Sequence, residues 1–301
     1  MDNLISEKNK KLNTVNFYSY KGGVGRTLLV SHMARCLAAL GKKVVIADFD
    51  FDAPGIPLMF NIDVCNVSGG LYNLVYDHIY PNDEEEKLDF SDALKQYLVP
   101  IDIKLRGENE TGGIQILPCG CINYAYWQNI FRIKWLRILA TEGKDSFVHV
   151  IENNLKPALK DMGIDYLLID SRAGVTYYSN IARKVATVEA MIFCPNEEAM
   201  FSLKNFLLPL VTNNSTSLEK FLLVVSRIPP ELIEQKNLKI AEIRGLLKQQ
   251  LTSEIFESTT LLTLSSDLEV QLDSKIRSVD ERYKTPEDGK NILVFFFTKR
   301  F

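Results

Sequence analysis

The sequence predicts an α/β fold, doubly wound around a mostly parallel sheet with helices on both faces. Three observations lead there: a strand, a glycine loop, a helix and a strand follow one another near the amino end; apolar runs of strand length recur after them; and helical segments lie between most of those runs. TVNFYSY (14–20) reads as a buried strand and runs straight into Gly22, Gly23 and Gly25. RTLLVSHMARCLAAL (26–40) has the length and apolar spacing of a helix, closed by Gly41. VVIADFD (44–50) is the next strand. This order is a βαβ unit, whose strands are parallel and whose crossover is right-handed.

The same rhythm continues with strands expected in GIQILPCG (113–120), IDYLLIDSRAG (164–174), EAMIFCPN (189–196), FLLVVSRIPP (221–230) and NILVFFF (291–297). Helices are expected in KDSFVHVIENNLKPALKDM (144–162) and ELIEQKNLKIAEIRGLLKQQL (231–251). In INYAYWQNIFRIKWLRIL (122–139) aromatics interleave with Arg132, Lys134 and Arg137, as on a nucleic-acid surface. Trp127, Phe131 and Trp135 nevertheless recur at i, i+4 and i+8, which favours an amphipathic helix packed on the sheet. One domain is expected over 1–301, with a surface excursion around 80–113 that carries the acidic run DEEEK and the loop GENETGG.

Composition bounds the function classes. A chain of 301 residues with 46% hydrophobic and 24% charged content can bury a substantial core. A net charge of -3 and a pI near 5.8 argue against coating nucleic acid by bulk charge, so DNA is a possible partner that charge does not indicate. Five cysteines without a framework spacing fit a reducing compartment. The polar start MDNLISEKNKKLN and the absence of a run of roughly 20 apolar residues point to a cytoplasmic protein with no transmembrane segment.

The chemistry concentrates in SYKGGVGRT (19–27), at a strand's carboxyl end and a helix's amino end, where backbone N–H groups and the helix dipole favour phosphate. Against the common spacing G-x-x-x-x-G-K-[ST], Tyr20 stands at the first glycine and Arg26 at the lysine. Lys21 instead heads the loop. Two later strands end in carboxylates: Asp48 and Asp50 at i and i+2, on one side of the extended chain, and Asp170 after the apolar run YLLI. An acid at such a strand end is the pattern that holds Mg2+ near a bound nucleotide. Loop and strand ends together define one expected magnesium-nucleotide site.

KGGVGRT, ADFDFDAPG and LLIDSRAG resemble the ParA/MinD-type ATPases with a deviant Walker A loop, over residues 15 to at least 230. The resemblance implies ATP and Mg2+ as ligands and a homodimer that sandwiches ATP. It implies that Lys21 reaches the partner's phosphates and that the backbone of Gly22, Gly23, Val24, Gly25, Arg26, Thr27 and Leu28 wraps the nucleotide. The Thr27 hydroxyl is expected on Mg2+, with Asp48 and Asp170 as outer partners, Asp50 positioning the attacking water and Gly174 sensing the γ-phosphate. Arg26 replaces the family's second lysine, and arginine holds phosphate as a planar fork and not as a point charge. A KGGVGR sub-group shares that substitution and resembles parts of bacterial mobile or defence loci, so an effector protein encoded nearby is an expected partner.

Late strands of this fold usually receive the base, which makes Asn196, Ser226, Arg227 and Pro229 candidate base contacts. The pair Cys119 and Cys121 ends a strand and is expected as buried or idle thiols, not as a cluster site. His32, His78 and His149 are scattered and form no catalytic or zinc pattern. The leading expectation is a slow ATPase switch. The alternative is a nucleotide-binding regulatory or scaffold module with negligible hydrolysis, which Arg26 motivates.

Overall fold

The computed structural model describes residues 12–79, 89–102, 112–132, 146–194, 197–207, 220–228, 241–246, 248–249 and 259–265. Strands β1 (Asn13–Tyr18), β2 (Lys43–Phe49), β3 (Val99–Ile101), β4 (Gly113–Leu117), β5 (Tyr166–Ser171), β6 (Val188–Phe193), β7 (Lys220–Ile228) and β8 (Thr259–Ser265) form one sheet. Their order is β3-β4-β2-β5-β1-β6-β7-β8. Every pairing is parallel except that of β3 with β4. The expected strands at 14–20, 44–50, 113–120, 164–174, 189–196 and 221–230 are all present, most of them trimmed where their glycine or proline ends begin.

Burial on both faces explains why these strands read as continuous apolar runs. Helix α1 (Arg26–Ala39) lays Leu29, Val30, Met33 and Leu37 against Val15, Phe17, Val44, Ile46 and Leu168. The alternate residues Val45, Ala47, Phe49, Leu167 and Ile169 face the other way. There they meet α3 (Leu71–Ile79), α5 (Tyr124–Arg132) and α8 (Tyr177–Val185), which follow the short α2 (Ile56–Met59) and other elements along the chain. Phe49 stacks on Phe147 with ring centroids 5.7 Å apart. The doubly wound architecture is thus a consequence of period-two alternation in strands that have no solvent face.

The helix expected over 144–162 runs as α6 (Phe147–Val150), a wider π turn (Ile151–Leu155) and α7 (Lys156–Asp161). Pro157 cannot donate to the turn before it, which accounts for the widening just upstream. The excursion expected around 80–113 is only partly one. Residues 89–102 inside it form α4 (Phe90–Tyr97) and β3, with Leu94 and Leu98 buried in the core. The acidic run at 83–87 and residues 107–111 lie outside the described residues, as do the strand expected at 291–297 and most of the helix expected at 231–251, of which 241–246 is helical.

Helix α5 packs on the sheet as expected, but through Tyr126 and Ile130, one residue off the row predicted from Trp127. Trp127 is half-buried beside them. Trp135 and the side chain of Phe131 lie outside the described residues. At the start of helix α3 the Gly70 N–H donates to Asn73 Oδ1 at 3.1 Å, and the helix's first N–H groups, of Leu71 and Tyr72, donate to the Pro118 and Cys119 carbonyls at 2.8 Å each. Gly70 permits this approach, because a Cβ there would stand 2.2 Å from the Pro118 oxygen.

A buried polar group links α8 to β1 and β6. Arg183 Nε faces Glu189 Oε1 at 3.4 Å, Asn16 Nδ2 donates to Glu189 Oε2 at 2.9 Å, and the Arg183 guanidinium lies 4.9 Å from the centre of the Tyr18 ring. Burial pushes the Glu189 carboxyl above its ordinary range, against the opposing pull of Arg183. It likewise pushes the Tyr18 phenol up to about 12.

Candidate nucleotide site

The sheet register brings three chain segments to one edge. Asp170 of β5 lies beside Phe17 of β1 and beside Asp48 of β2, so the loops leaving these three strands meet at their carboxyl ends. The first of them carries Lys21 to Gly25. Gly23 and Gly25 have φ of +75° and +87°, a left-handed backbone in which a side chain is strained. A Cβ on Gly22 or Gly23 would touch nothing, so the loop borders open space there.

Helix α1 begins at this loop with no side-chain cap and no acidic residue in its first turn. The Leu29 N–H is bound to the Gly25 carbonyl at 3.0 Å, and the N–H groups ahead of it, through Leu28, end the helix as donors without an intrahelical partner. Such an end is an anion site. Ser226 supports the loop from beneath: its buried hydroxyl donates to the Val24 carbonyl at 2.8 Å. In this structure the Ser226 hydroxyl, expected as a base contact, gives its proton to the loop's own backbone. Of Arg227 only the backbone, in β7, is described, and Asn196 and Pro229 lie outside the described residues.

Arg26 is buried and its fork is used in full. Nε binds Asp170 Oδ1 at 2.6 Å, Nη1 donates to Ser19 Oγ at 3.3 Å and Nη2 stands 3.6 Å from Asp50 Oδ2. Thr27 Oγ1 donates to the other Asp170 oxygen at 2.8 Å. A lysine at position 26 has one nitrogen and cannot span these three groups.

Asp48 is fully buried, and its two oxygens accept the N–H groups of Asp50 at 3.0 Å and Ile56 at 3.2 Å. It braces the loop that follows β2. Burial, with Asp170 beside it, holds the Asp48 carboxyl well above the usual carboxylate range. Burial raises Asp170 too, while Arg26 and Thr27 pull it down.

The remaining expected residues close the ring. Gly174, with φ of +83°, donates its N–H to the Ser19 carbonyl at 2.9 Å, which sets the loop after β5 against the glycine loop. Lys21 forms an ion pair with Glu198 of α9 (Glu197–Ser202). Arg172 joins the site although the sequence motifs gave it no role, and its Nη1 binds Asp50 Oδ1 at 3.0 Å and Asp52 Oδ2 at 2.8 Å. The available signal was its place two residues past Asp170, at the end of a strand paired with β2. Two residues past the carboxyl end of β4, Cys119 is buried and its thiol is pushed up to about 12, chiefly by burial, as suits a core group. Among the described residues, no three His, Cys, Asp or Glu side chains form a metal-holding group on their own.

Open space over glycines, an uncapped helix start, a hydroxyl and a carboxylate side by side at that start, and guanidinium donors facing it fit a Mg-nucleotide. Known proteins agree in fold. The family model described as ParA, NUBPL iron-transfer P-loop NTPase, matches residues 11–86. The iron-sulfur cluster carrier protein of Saccharolobus solfataricus is 42% identical over 48 residues, so the chain matches 16% of that protein's length and 16% of its own. The septum site-determining protein MinD of Synechocystis is 25% identical over 230 residues, 76% of this chain and 70% of that one. Apo McdA of Cyanothece has the same fold at a TM-score of 0.58 and 16% identity, covering 89% of this chain and 93% of that one. A further structure of McdA is an ATP complex.

Proposed function

We propose that this chain, ParA/MinD-type in loop and fold, is a cytoplasmic, magnesium-dependent ATPase that works as a switch, pairing with a second copy of itself while ATP is bound. The observation that carries the reading is the convergence of the glycine loop, Thr27, Asp170 and Asp50 on one sheet edge, with Arg26 touching the two carboxylates. The McdA complex supports ATP as the nucleotide. No helix among the described residues is long and apolar enough to cross a membrane.

The chain's own groups divide the work. Backbone N–H groups from Gly22 to Leu28 bind phosphate oxygens, and Arg26 trades its carboxylate contacts for them. Thr27 and Asp170 hold Mg2+, with Asp48 bracing the loop behind them. Bound Mg2+ supplies neutralisation of phosphate charge. Asp50 orients the water that attacks the γ-phosphorus; the bond to the β-γ bridging oxygen breaks and ADP leaves with inorganic phosphate. Gly174 exchanges the Ser19 carbonyl for a γ-phosphate oxygen and so couples ATP to the loop after β5. Lys21, released from Glu198, completes the partner's site, which makes pairing the control on hydrolysis. The changed surface is then recognised by a client protein.

Light scattering in Mg-ATP, Mg-ADP and no nucleotide, with phosphate release followed in parallel, tests this. A dimer that forms only with ATP, persists in Asp50→Ala and is lost in Lys21→Ala is the expected result. Mass that ignores ATP while ATP still binds would falsify the switch and leave a regulatory module.

A further inference from the structure

Asp50 has one oxygen anchored and the other aimed. Asp48 pairs with Asp170 and Phe49 with Ser171 along β2 and β5, so the next residues out, Asp50 and Arg172, leave the sheet side by side. Arg172 Nη1 binds Asp50 Oδ1 at 3.0 Å, and the Ala53 N–H donates to the same oxygen at 3.1 Å. Oδ2 is left toward Arg26, whose Nη2 lies 3.6 Å away at the phosphate loop. Asp52 Oδ2, 2.8 Å from the same Arg172 nitrogen, is a second carboxylate that holds this nitrogen in place.

This arrangement does little for folding. The Arg172 side chain is 33% exposed and that of Asp52 41%, and ion pairs at such a surface contribute roughly 0–1 kcal/mol. Its effect is on orientation: two donors on Oδ1 stop the carboxyl group from turning, which is the preorganisation that a water-orienting group needs. We propose that Arg172 is a positioning residue for ATP hydrolysis, holding Asp50 so that Oδ2 faces the attacking water, with Asp52 as its anchor. The inference rests on the ATPase reading above and adds to it a residue acting through Asp50 and not on phosphate.

The test is a double-mutant cycle on the full chain with Arg172→Ala, Asp50→Asn and both, reading single-turnover phosphate release and the Kd of a fluorescent ATP analogue. Losing one hydrogen bond to a charged group lowers kcat by about 10- to 100-fold. The Kd stays within about threefold, because Arg172 does not touch the nucleotide. Arg172→Lys recovers part of the rate, since one nitrogen makes both contacts. The double variant is no slower than Asp50→Asn alone. An unchanged thermal midpoint for Arg172→Ala shows that the loss is not one of folding. Multiplicative losses in the double variant, or a weakened Kd at unchanged kcat, overturn the inference and leave the ATPase reading intact. A wild type that binds ATP without releasing phosphate overturns both.

Discussion

At the scale of single residues, burial decides what a polar group is for. Ser226 and Asp170 both lie near the carboxyl ends of strands, yet the Ser226 hydroxyl donates to the Val24 carbonyl while Asp170 meets two side chains of the phosphate loop. Ser226→Ala therefore removes one neutral hydrogen bond and is expected to cost about 1 kcal/mol in urea denaturation. The ratio of ATP to GTP affinity, titrated on the same variant, stays as in the wild type. Lys21, Asp50 and Asp170 were legible in the sequence because each sits at a fixed offset from an apolar run. Glu198 and Arg172 were not, because their partners are set by which strands lie side by side, and no local spacing encodes that neighbourhood.

Among elements, the parallel strands were legible for the reason that makes them stable: β1, β2, β5 and β6 are buried on both faces and read as mostly apolar runs, interrupted in β1 by Asn16 and in β6 by Glu189. Strand β3 was hidden inside an apparent excursion since its three residues include Pro100 and it becomes a strand only by lying against β4. Strand β8, TTLLTLS, carries four Thr and Ser residues among three leucines and joins the sheet through β7. The start of α3 shows how such tertiary contacts replace local signals, with the carbonyls of Pro118 and Cys119 serving as its cap. Gly70→Ala forces a methyl group into that backbone approach and is expected to destabilise by about 1–3 kcal/mol, read as a lowered urea midpoint with an unchanged slope.

Across the whole molecule, the Arg183–Glu189 pair joins the helix that follows the Gly174 loop to the middle of the sheet. The folded state holds the Glu189 proton more tightly than the unfolded chain, whose value is near 4.5. This group's contribution is therefore full below that value and is lost as pH rises through the folded one. Arg183→Leu removes the charge that limits the loss. Its expected cost is about 3–5 kcal/mol at a pH well above the folded value, where Glu189 is charged, and smaller at a pH below it, where Glu189 holds its proton. Urea denaturation of wild type and variant at the two pH values measures the difference. The far side of the sheet has a consequence of another kind. Strand β3 ends the sheet after β4 with three residues, one of them a proline that has no N–H to offer. Among the described residues an incoming chain finds almost no ladder to extend on that flank, so geometry disfavours fibrillar growth by strand addition to β3.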